Sequence, residues 1–194
     1  EGPLLRDGEC RAVLEDIERR DCDWIVASGS LPRGTQPGFY GRVAEIAAHK
    51  GAKLVLDTSG PALAQMLEHG GVHLVKPSQG ELEKALGRTL DGPDAIAAAA
   101  MSIVEAGKVD LVAVTLGHEG AILASKEGIV RKQVPQVEVR SAVGAGDSFV
   151  AGMTYGLATG LSPREAFVLG MAAGTAAVLT PGTELCKRAD VERL

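Results

Sequence analysis

Residues 53–78 read KLVLDTSGPALAQMLEHGGVHLVKPS, and this stretch decides the fold class. The apolar segment KLVLDTSG (53–60) predicts a strand, PALAQMLEHG (61–70) predicts a short helix opened by proline, and VHLVKPS (72–78) predicts a second strand. Two strands separated by a helix lie parallel in one sheet, with the helix packed on a face of that sheet. The stretch therefore predicts an α/β domain.

The same alternation continues on both sides of this unit. The apolar patterns predict further helices over 7–20, 38–51, 79–87, 93–107, 147–160 and 163–179, and further strands over 24–29 and 109–117. From Gly120, the segment AILASKEGIVRKQVP predicts two strands joined by a Lys-Glu-Gly turn, an antiparallel hairpin at a sheet edge. We predict one domain over residues 1–194, a mostly parallel sheet with helices on both faces.

Composition excludes several classes of function. The chain has 194 residues and a formal net charge of −5, which argues against a nucleic-acid partner. No apolar run reaches the roughly 18 residues of a membrane helix. The three cysteines are odd in number and widely spaced, which favours free thiols in a reducing cytoplasm over a disulfide framework.

Small and polar residues collect where four predicted strands end. These segments are SGSLPRG (28–34), KPSQGE (76–81), TLGHEG (115–120) and AVGAGDSF (142–149). Ligands of parallel α/β sheets bind beyond the carboxyl ends of the strands. The coincidence of four such segments predicts a ligand site at this edge.

The segment AVGAGDSF predicts an anion-binding turn. Gly144 and Gly146 leave backbone amides accessible, and the following helix adds free N–H groups and the positive end of its dipole. Asp147 cannot bind an anion, so it is either the N-cap of that helix or the base that accepts a hydroxyl proton during phosphoryl transfer. The patterns of P-loop and dinucleotide-binding proteins are absent from the sequence.

The other strand-end residues also have two interpretations each. Ser78 and Glu81 have the spacing of a capping box, or Lys76 binds a phosphate while Glu81 holds the water shell of Mg²⁺. Ser30 contacts a substrate or forms an ST-turn. For Asp57, an Asx-turn is favoured over a catalytic role. TLGHEG is a plain turn, or a loop against which a nucleotide lies flat.

Taken together and in this order, these motifs resemble the PfkB (ribokinase-like) carbohydrate kinase family. VGAGDSFVAGM (143–153) matches the C-terminal signature of that family, and SGSLPRG, LVKPSQGE, VTLGHEGA and GTAAVLTPGTELC (174–186) fall where the family has their counterparts. The resemblance implies a ribokinase-like three-layer α/β/α fold. It also implies ATP-dependent phosphorylation of a sugar phosphate, first of all fructose 6-phosphate, with Mg²⁺ as cofactor.

The resemblance also assigns roles to residues. Asp147 is the expected base, with the amides of Gly144, Ala145 and Gly146 on the γ-phosphoryl group, while Ser30 reaches the sugar phosphate and Glu81 holds Mg²⁺ through water. The expected ATP site consists of Lys76, Ser78, Thr115, Gly117, Gly120, Met171 and Thr175. The expected monovalent-cation (K⁺) site consists of Ser141, Val143, Ala177, Thr180, Gly182 and Glu184.

The sequence departs from the family pattern in a few places. Ser78 stands where the family has asparagine, and Thr180 and Glu184 are unusual at the cation site. The family's first strand, sugar loop and β-lid do not precede Glu1, so we expect a C-terminal portion that is inactive alone, and a homodimer only for the full-length protein. The alternatives are a tagatose-6-phosphate kinase, a 1-phosphofructokinase, a nucleotide-binding module without catalysis and a purely structural domain.

Overall fold

The computed structural model describes residues 4–36 and 38–194. The helices within these ranges are α1 (Asp7–Arg19), α2 (Phe39–Lys50), α3 (Gly60–His69), α4 (Gln79–Leu86), α5 (Gly92–Glu105), α6 (Ala145–Ala158), α7 (Pro163–Ala177) and α8 (Arg188–Arg193). The strands are β1 (Trp24–Ser28), β2 (Lys53–Asp57), β3 (Val72–Val75), β4 (Val109–Thr115), β5 (Ala121–Ser125) and β6 (Gly128–Lys132).

The strands of the described residues form one sheet in the order β1-β2-β3-β4-β5-β6. Strands β1 to β4 are parallel, whereas β5 pairs antiparallel with β4 and β6 pairs antiparallel with β5. The mostly parallel sheet and the hairpin at its edge are therefore confirmed. The carboxyl ends of β1, β2, β3 and β4 lie along one edge of the sheet, where the candidate site is assembled.

Helices cover both faces of the sheet, which confirms the three-layer architecture. One core cluster joins the sheet to α2, α3, α4 and α5, with Leu54, Leu63 and Leu82 among its fully buried side chains. The second joins the opposite face to α6 and α7 through residues such as Phe149 and Phe167, whose rings meet edge to face at 5.9 Å between centroids. Burial on both faces explains the continuous apolar character of the central strands.

Several boundaries differ from those predicted. Strand β2 ends at Asp57 because the chain turns into α3 at Gly60, and β3 ends at Val75 because Pro77 has no N–H to donate. Helix α6 begins at Ala145, two residues earlier than predicted. Helix α8 was not predicted, because its short polar sequence RADVER carries no apolar period.

Two general features concern the cysteines and the length of the helices. All three cysteines, Cys10, Cys22 and Cys186, are free. Among the described residues, no helix combines the length and the apolar character required to cross a bilayer.

Candidate active site

The turn before α6 leaves backbone N–H groups free. Gly144 adopts the left-handed conformation, with φ of 80° and ψ of 0°, and α6 begins at the next residue, Ala145. In the described part of the chain, the N–H groups of Gly146 and Asp147 have no hydrogen-bond partner, which is typical of the first turn of a helix. These amides and the positive end of the helix dipole form a surface that can bind an anion.

Asp147 lies in this first turn without a structural partner. It is the third residue of α6, and Gly144 occupies the N-cap position, so the N-cap interpretation of Asp147 is wrong. The Asp147 side chain is exposed and forms no hydrogen bond or ion pair with any described residue. A carboxylate beside free amides and open to solvent is available to accept a proton.

Lys76 lies buried against the same turn. The residue is 6% exposed, and its Nζ lies 3.2 Å from Oδ1 of Asp57. A Cβ added at Gly146 would lie 3.5 Å from this Nζ, so Lys76 packs directly on the turn before Asp147. The pairing follows from strand register, because Leu56 of β2 is opposite Val75, the last residue of β3. The residues that follow these two in the chain are Asp57 and Lys76, which are therefore neighbours.

Two further carboxylates act on the Asp57 side of this ion pair. Burial raises the pKa of Asp57 above its ordinary value of 3.8, the Lys76 charge opposes that rise, and the nearby charges of Glu81 and Asp147 add to it. Asp57 and Lys76 are both largely withdrawn from water, with side chains 16% and 7% exposed. The site thus concentrates negative charge around one buried cation, an arrangement common where proteins carry out chemistry.

Ser78 and Glu81 form the capping box of α4. The Ser78 N–H donates to Oε2 of Glu81 at 2.7 Å, and the Glu81 N–H donates to Oγ of Ser78 at 3.4 Å. The structural interpretation of this pair is therefore confirmed, and Glu81 retains a second carboxylate oxygen.

The same residues fit Mg²⁺ held through water. No group of three or more histidine, cysteine, aspartate or glutamate side chains in residues 4–36 and 38–194 is arranged to hold a metal ion directly. Mg²⁺ usually keeps several of its waters and takes carboxylate oxygens and substrate phosphates as its other partners. The free oxygen of Glu81, whose charge acts on the nearby Asp57 carboxyl group, suits that outer role.

The end of β4 meets the end of β3. The Thr115 N–H donates to the carbonyl of Pro77 at 3.0 Å, and Thr115 forms a parallel bridge with Ser78. Gly120 closes the following turn with φ of 112°, and a Cβ there would collide with the carbonyl of Lys132. Gly117, with φ of 61°, is exposed at the start of this turn. The structure thus brings Ser78, Thr115 and Gly117 to one edge.

Ser30 lies in a loop fixed by its neighbour. The Gly29 carbonyl accepts hydrogen bonds from the Tyr40 hydroxyl at 2.7 Å and the Thr58 hydroxyl at 2.9 Å, and the Gly29 N–H donates to the Asp57 carbonyl at 2.8 Å. Ser30 itself is exposed, and its hydroxyl forms no hydrogen bond with any described residue. The ST-turn is therefore not formed, and the hydroxyl is open to a ligand.

Met171 and Thr175 lie on α7, the helix that packs against α6. They are only 8% and 7% exposed, and Met171 packs in the core cluster with Phe149 and Phe167. Any contact that these residues make with a nucleotide is therefore limited to a small exposed edge.

The six residues predicted to bind a monovalent cation lie together. The Ser141 hydroxyl donates to the Gly182 carbonyl at 2.7 Å and accepts from the Val143 N–H at 3.2 Å. The Thr180 hydroxyl lies 2.8 Å from the carbonyl oxygens of both Ala177 and Glu184. The result is a set of hydroxyl and carbonyl oxygens immediately before the Gly144 turn, the ligand type that hard cations prefer.

Sequence comparison connects this geometry to known proteins. Residues 18–190 match the pfkB family of carbohydrate kinases. The chain belongs to this family. The ATP-dependent 6-phosphofructokinase isozyme 2 of Mycobacterium tuberculosis is 40% identical over 195 residues, covering 99% of this chain and 57% of the relative. The 1-phosphofructokinase of Rhodobacter capsulatus is 39% identical over 154 residues, covering 79% of this chain and 48% of the relative.

A solved PfkB-family structure has the same architecture. Phosphofructokinase-2 from Escherichia coli in complex with potassium superposes with a TM-score of 0.94 at 38% identity, covering 98% of this chain and 62% of that one. The likeness confirms the predicted family and fold. The chain spans between about half and two thirds of the length of these PfkB relatives.

The sequence analysis missed the partner of Lys76. Asp57 was assigned to an Asx-turn, whereas its side chain pairs with Lys76. The signal was present in the sequence, because VLD and LVK end two adjacent parallel strands at the same level. Finding it required the register of β2 against β3, which periodicity alone does not give.

Proposed function

We propose that this chain provides the nucleotide-binding and proton-accepting part of an ATP-dependent sugar phosphate kinase. The observation that carries the proposal is the first turn of α6, where free amides, an unpaired exposed carboxylate and the buried Lys76 ammonium meet. Membership of the PfkB family supports the same reaction class. The amides bind negative charge, and the carboxylate takes up a proton.

The proposed reaction is an in-line phosphoryl transfer. The sugar hydroxyl oxygen attacks the γ-phosphorus of ATP, the bond from that phosphorus to the β,γ-bridging oxygen breaks, and ADP leaves with the bond's electrons. Asp147 accepts the hydroxyl proton, while the free amide of Gly146 and the predicted amides of Gly144 and Ala145 stabilise the charge on the transferring group. The Ala145 N–H must first give up a long hydrogen bond of 3.4 Å to the Ala142 carbonyl. Lys76, held by Asp57, neutralises negative charge on the phosphates.

The remaining predicted residues complete the proposed site. The proposed nucleotide loop is lined by Thr115, Gly117 and Gly120, and the phosphates are contacted by Lys76 and Ser78. The free hydroxyl of Ser30 donates a hydrogen bond to the sugar phosphate. Mg²⁺ would supply neutralisation of phosphate charge when bound, and Glu81 would hold it through water. The oxygen set around Thr180 holds K⁺, a proposal supported by the potassium named with the E. coli relative.

We propose fructose 6-phosphate as the substrate, converted to fructose 1,6-bisphosphate. The identity of 40% to a 6-phosphofructokinase over nearly the whole chain supports this choice. Fructose 1-phosphate is the second candidate, because a relative named 1-phosphofructokinase is 39% identical over a shorter range. The three free cysteines fit a cytoplasmic enzyme, and the homodimer of the full-length protein stays a prediction.

The test measures ADP release by the longer protein that contains this chain. The acceptors are fructose 6-phosphate, tagatose 6-phosphate and fructose 1-phosphate, each with the wild type and with Asp147→Asn. We expect fructose 6-phosphate to be the best acceptor and Asp147→Asn to lower kcat about 10²- to 10⁴-fold. Asp94→Asn is the matched control, since Asp94 is also the third residue of a helix, α5.

Asp94→Asn removes the same interaction of a carboxylate with a helix dipole at a residue that was not predicted to contact a ligand. Its kcat should stay within about twofold of the wild type, since the substitution removes only this dipole interaction and the exposed ion pair of Asp94 with Arg131 at 2.6 Å. If activity survives Asp147→Asn, Asp147 is not the base. If no acceptor is phosphorylated, nucleotide binding without catalysis becomes the better explanation.

A further inference from the structure

Helices α6 and α7 approach each other through glycines. Gly152 and Gly156 lie on α6, Gly170 and Gly174 lie on α7, and none of the four has a positive φ. Glycine is a weak helix former, so four such residues within two helices call for a reason in packing. A Cβ added at any of them would lie 3.0 Å or less from an atom of the facing helix.

The atom that each glycine faces changes along the helix pair. At the end far from the site, a Cβ on Gly156 would lie 3.0 Å from Cα of Ala166. At the near end, a Cβ on Gly174 would lie 3.0 Å from the carbonyl oxygen of Ala145 and 3.4 Å from Cβ of Phe149. Ala145 is the first residue of α6. Gly174 therefore sets how closely α7 approaches the first turn of α6.

We propose that Gly174 is a positioning residue for the phosphoryl-transfer site. Its missing Cβ lets α7 hold Ala145 where the adjoining free amides and the Asp147 carboxylate act. An alanine at this position forces the backbone of Ala145 to move by a few tenths of an ångström. The effect on rate rests on the proposed function, whereas the displacement of the turn rests on the packing alone.

The displacement matters because the turn acts through fixed backbone groups. Catalytic groups work within about 0.5 Å of their productive positions, and a 1 Å error costs about 10²-fold in rate. Amides that stabilise a transferring phosphoryl group cannot adjust as a flexible side chain does, since they belong to the backbone of the first turn of α6. A small shift at Ala145 therefore moves Gly146 and Asp147 together.

The experiment compares Gly174→Ala with Gly156→Ala in the longer protein that contains this chain. Both substitutions add one methyl group at the α6–α7 interface against an atom 3.0 Å away, and both gain the same helix propensity. They differ in distance from the Gly144 turn. Two readouts are recorded for each variant, the ¹H–¹⁵N amide signals of residues 144–147 and the kcat and KM for ATP, with Tm measured in parallel.

We expect Gly174→Ala to shift the amide signals of residues 144–147 and to lower kcat about tenfold, with KM for ATP changed less than about twofold. Gly156→Ala should leave these amide signals unshifted and kcat within about twofold of the wild type. Its Tm should nevertheless change by about as much as the Tm of Gly174→Ala. A purely structural role for Gly174 predicts equal effects of the two substitutions on kcat.

Four outcomes decide the proposal. Unchanged amide signals in Gly174→Ala, or equally large changes in Gly156→Ala, would overturn it. If Gly174→Ala does not fold, the amide signals of residues 144–147 and the kcat of Gly170→Ala are measured instead. A Cβ at Gly170 would lie 2.9 Å from the Phe149 carbonyl, which is one turn of α6 further from the site. If the wild type transfers no phosphoryl group, the proposed function fails, and the amide signals still decide whether Gly174 positions the turn.

Discussion

Replacing Lys76 with methionine removes the one buried cation at the end of β3. Its ammonium lies 3.2 Å from Asp57, with side-chain exposures of 7% and 16% for the two residues. Glu81 and Asp147 are close enough for their charges to raise the pKa of Asp57. Lys76→Met therefore leaves the Asp57 carboxylate without its ion-pair partner and still exposed to the charges of Glu81 and Asp147, whereas Asp57→Asn removes the carboxylate on which those charges act.

This arrangement predicts an asymmetry between the two substitutions. Removing one partner of a buried ion pair costs about 3–5 kcal/mol, and we expect about 3 kcal/mol for Lys76→Met because Asp147 is exposed to water and Asp57 can take up a proton. For Asp57, the raised pKa shows that burial and the neighbouring carboxylates outweigh the attraction of Lys76. Asp57→Asn should therefore lower the free energy of unfolding by less than Lys76→Met does.

The assay is equilibrium urea unfolding at pH 7 and at a series of acid pH values. The folded protein binds the Asp57 proton more tightly than the unfolded chain, whose pKa is near 3.8. The contribution of Asp57 to stability is consequently greatest below pH 3.8 and falls as the pH rises through the raised folded value. Asp57→Asn should remove that fall, so its stability relative to the wild type improves with rising pH across this interval.

Two results would refute this reasoning. Equal losses for Lys76→Met and Asp57→Asn at pH 7 would mean that the two groups behave as an isolated pair, without the influence of Glu81 and Asp147. A relative stability of Asp57→Asn that worsens with rising pH would mean that the pKa of Asp57 is lowered in the folded protein. The double variant tests the same point, because it should be more stable than Lys76→Met alone.

Ser78→Ala should lower the free energy of unfolding by about 1 kcal/mol through loss of the cap on α4, and an unchanged thermal transition would contradict this. Glu81→Gln keeps an acceptor for the Ser78 N–H, so its Tm should stay within about 3 °C of the wild type. The Mg²⁺ concentration that gives half the maximal rate should rise, and an unchanged concentration would exclude Glu81 from holding Mg²⁺ through water. Gly144→Ala should cost about 1–2 kcal/mol in urea unfolding, because φ is 80°; a neutral result would show that the turn adapts. Thr180→Val removes the hydroxyl between two carbonyls, and its rate should no longer respond to KCl; a retained response would refute the cation site.

The secondary structure was largely predictable because burial on two faces leaves a strong apolar signal. The central strands and the helices between them follow directly from that signal, and so does the hairpin after Gly120. The strand ends were less predictable, because they depend on where a single residue such as Pro77 stops the ladder. Helix α8 gave no signal, since a short polar helix has no buried face.

The candidate site divides into features with local and non-local causes. The free amides near Gly146 follow from glycine and a helix start, so eight residues of sequence suffice to predict them. The alternative interpretation of Asp147 as an N-cap was wrong because the helix begins at Ala145, a boundary that propensity fixes only within a few residues. The Asp57–Lys76 pair was invisible locally, because it depends on the register of two strands.

Exposure separates the residues that act on a ligand from those that hold the site together. Asp147 and Ser30 are exposed and have no partners among the described residues, so their replacement should change rate with little change in stability. Lys76 is buried and also faces the α6 turn, so its replacement should change both. Measuring kcat and the free energy of unfolding for each variant therefore distinguishes a residue that contacts the substrates from one whose charge also maintains the fold. For variants of Lys76, both kcat and the free energy of unfolding must fall.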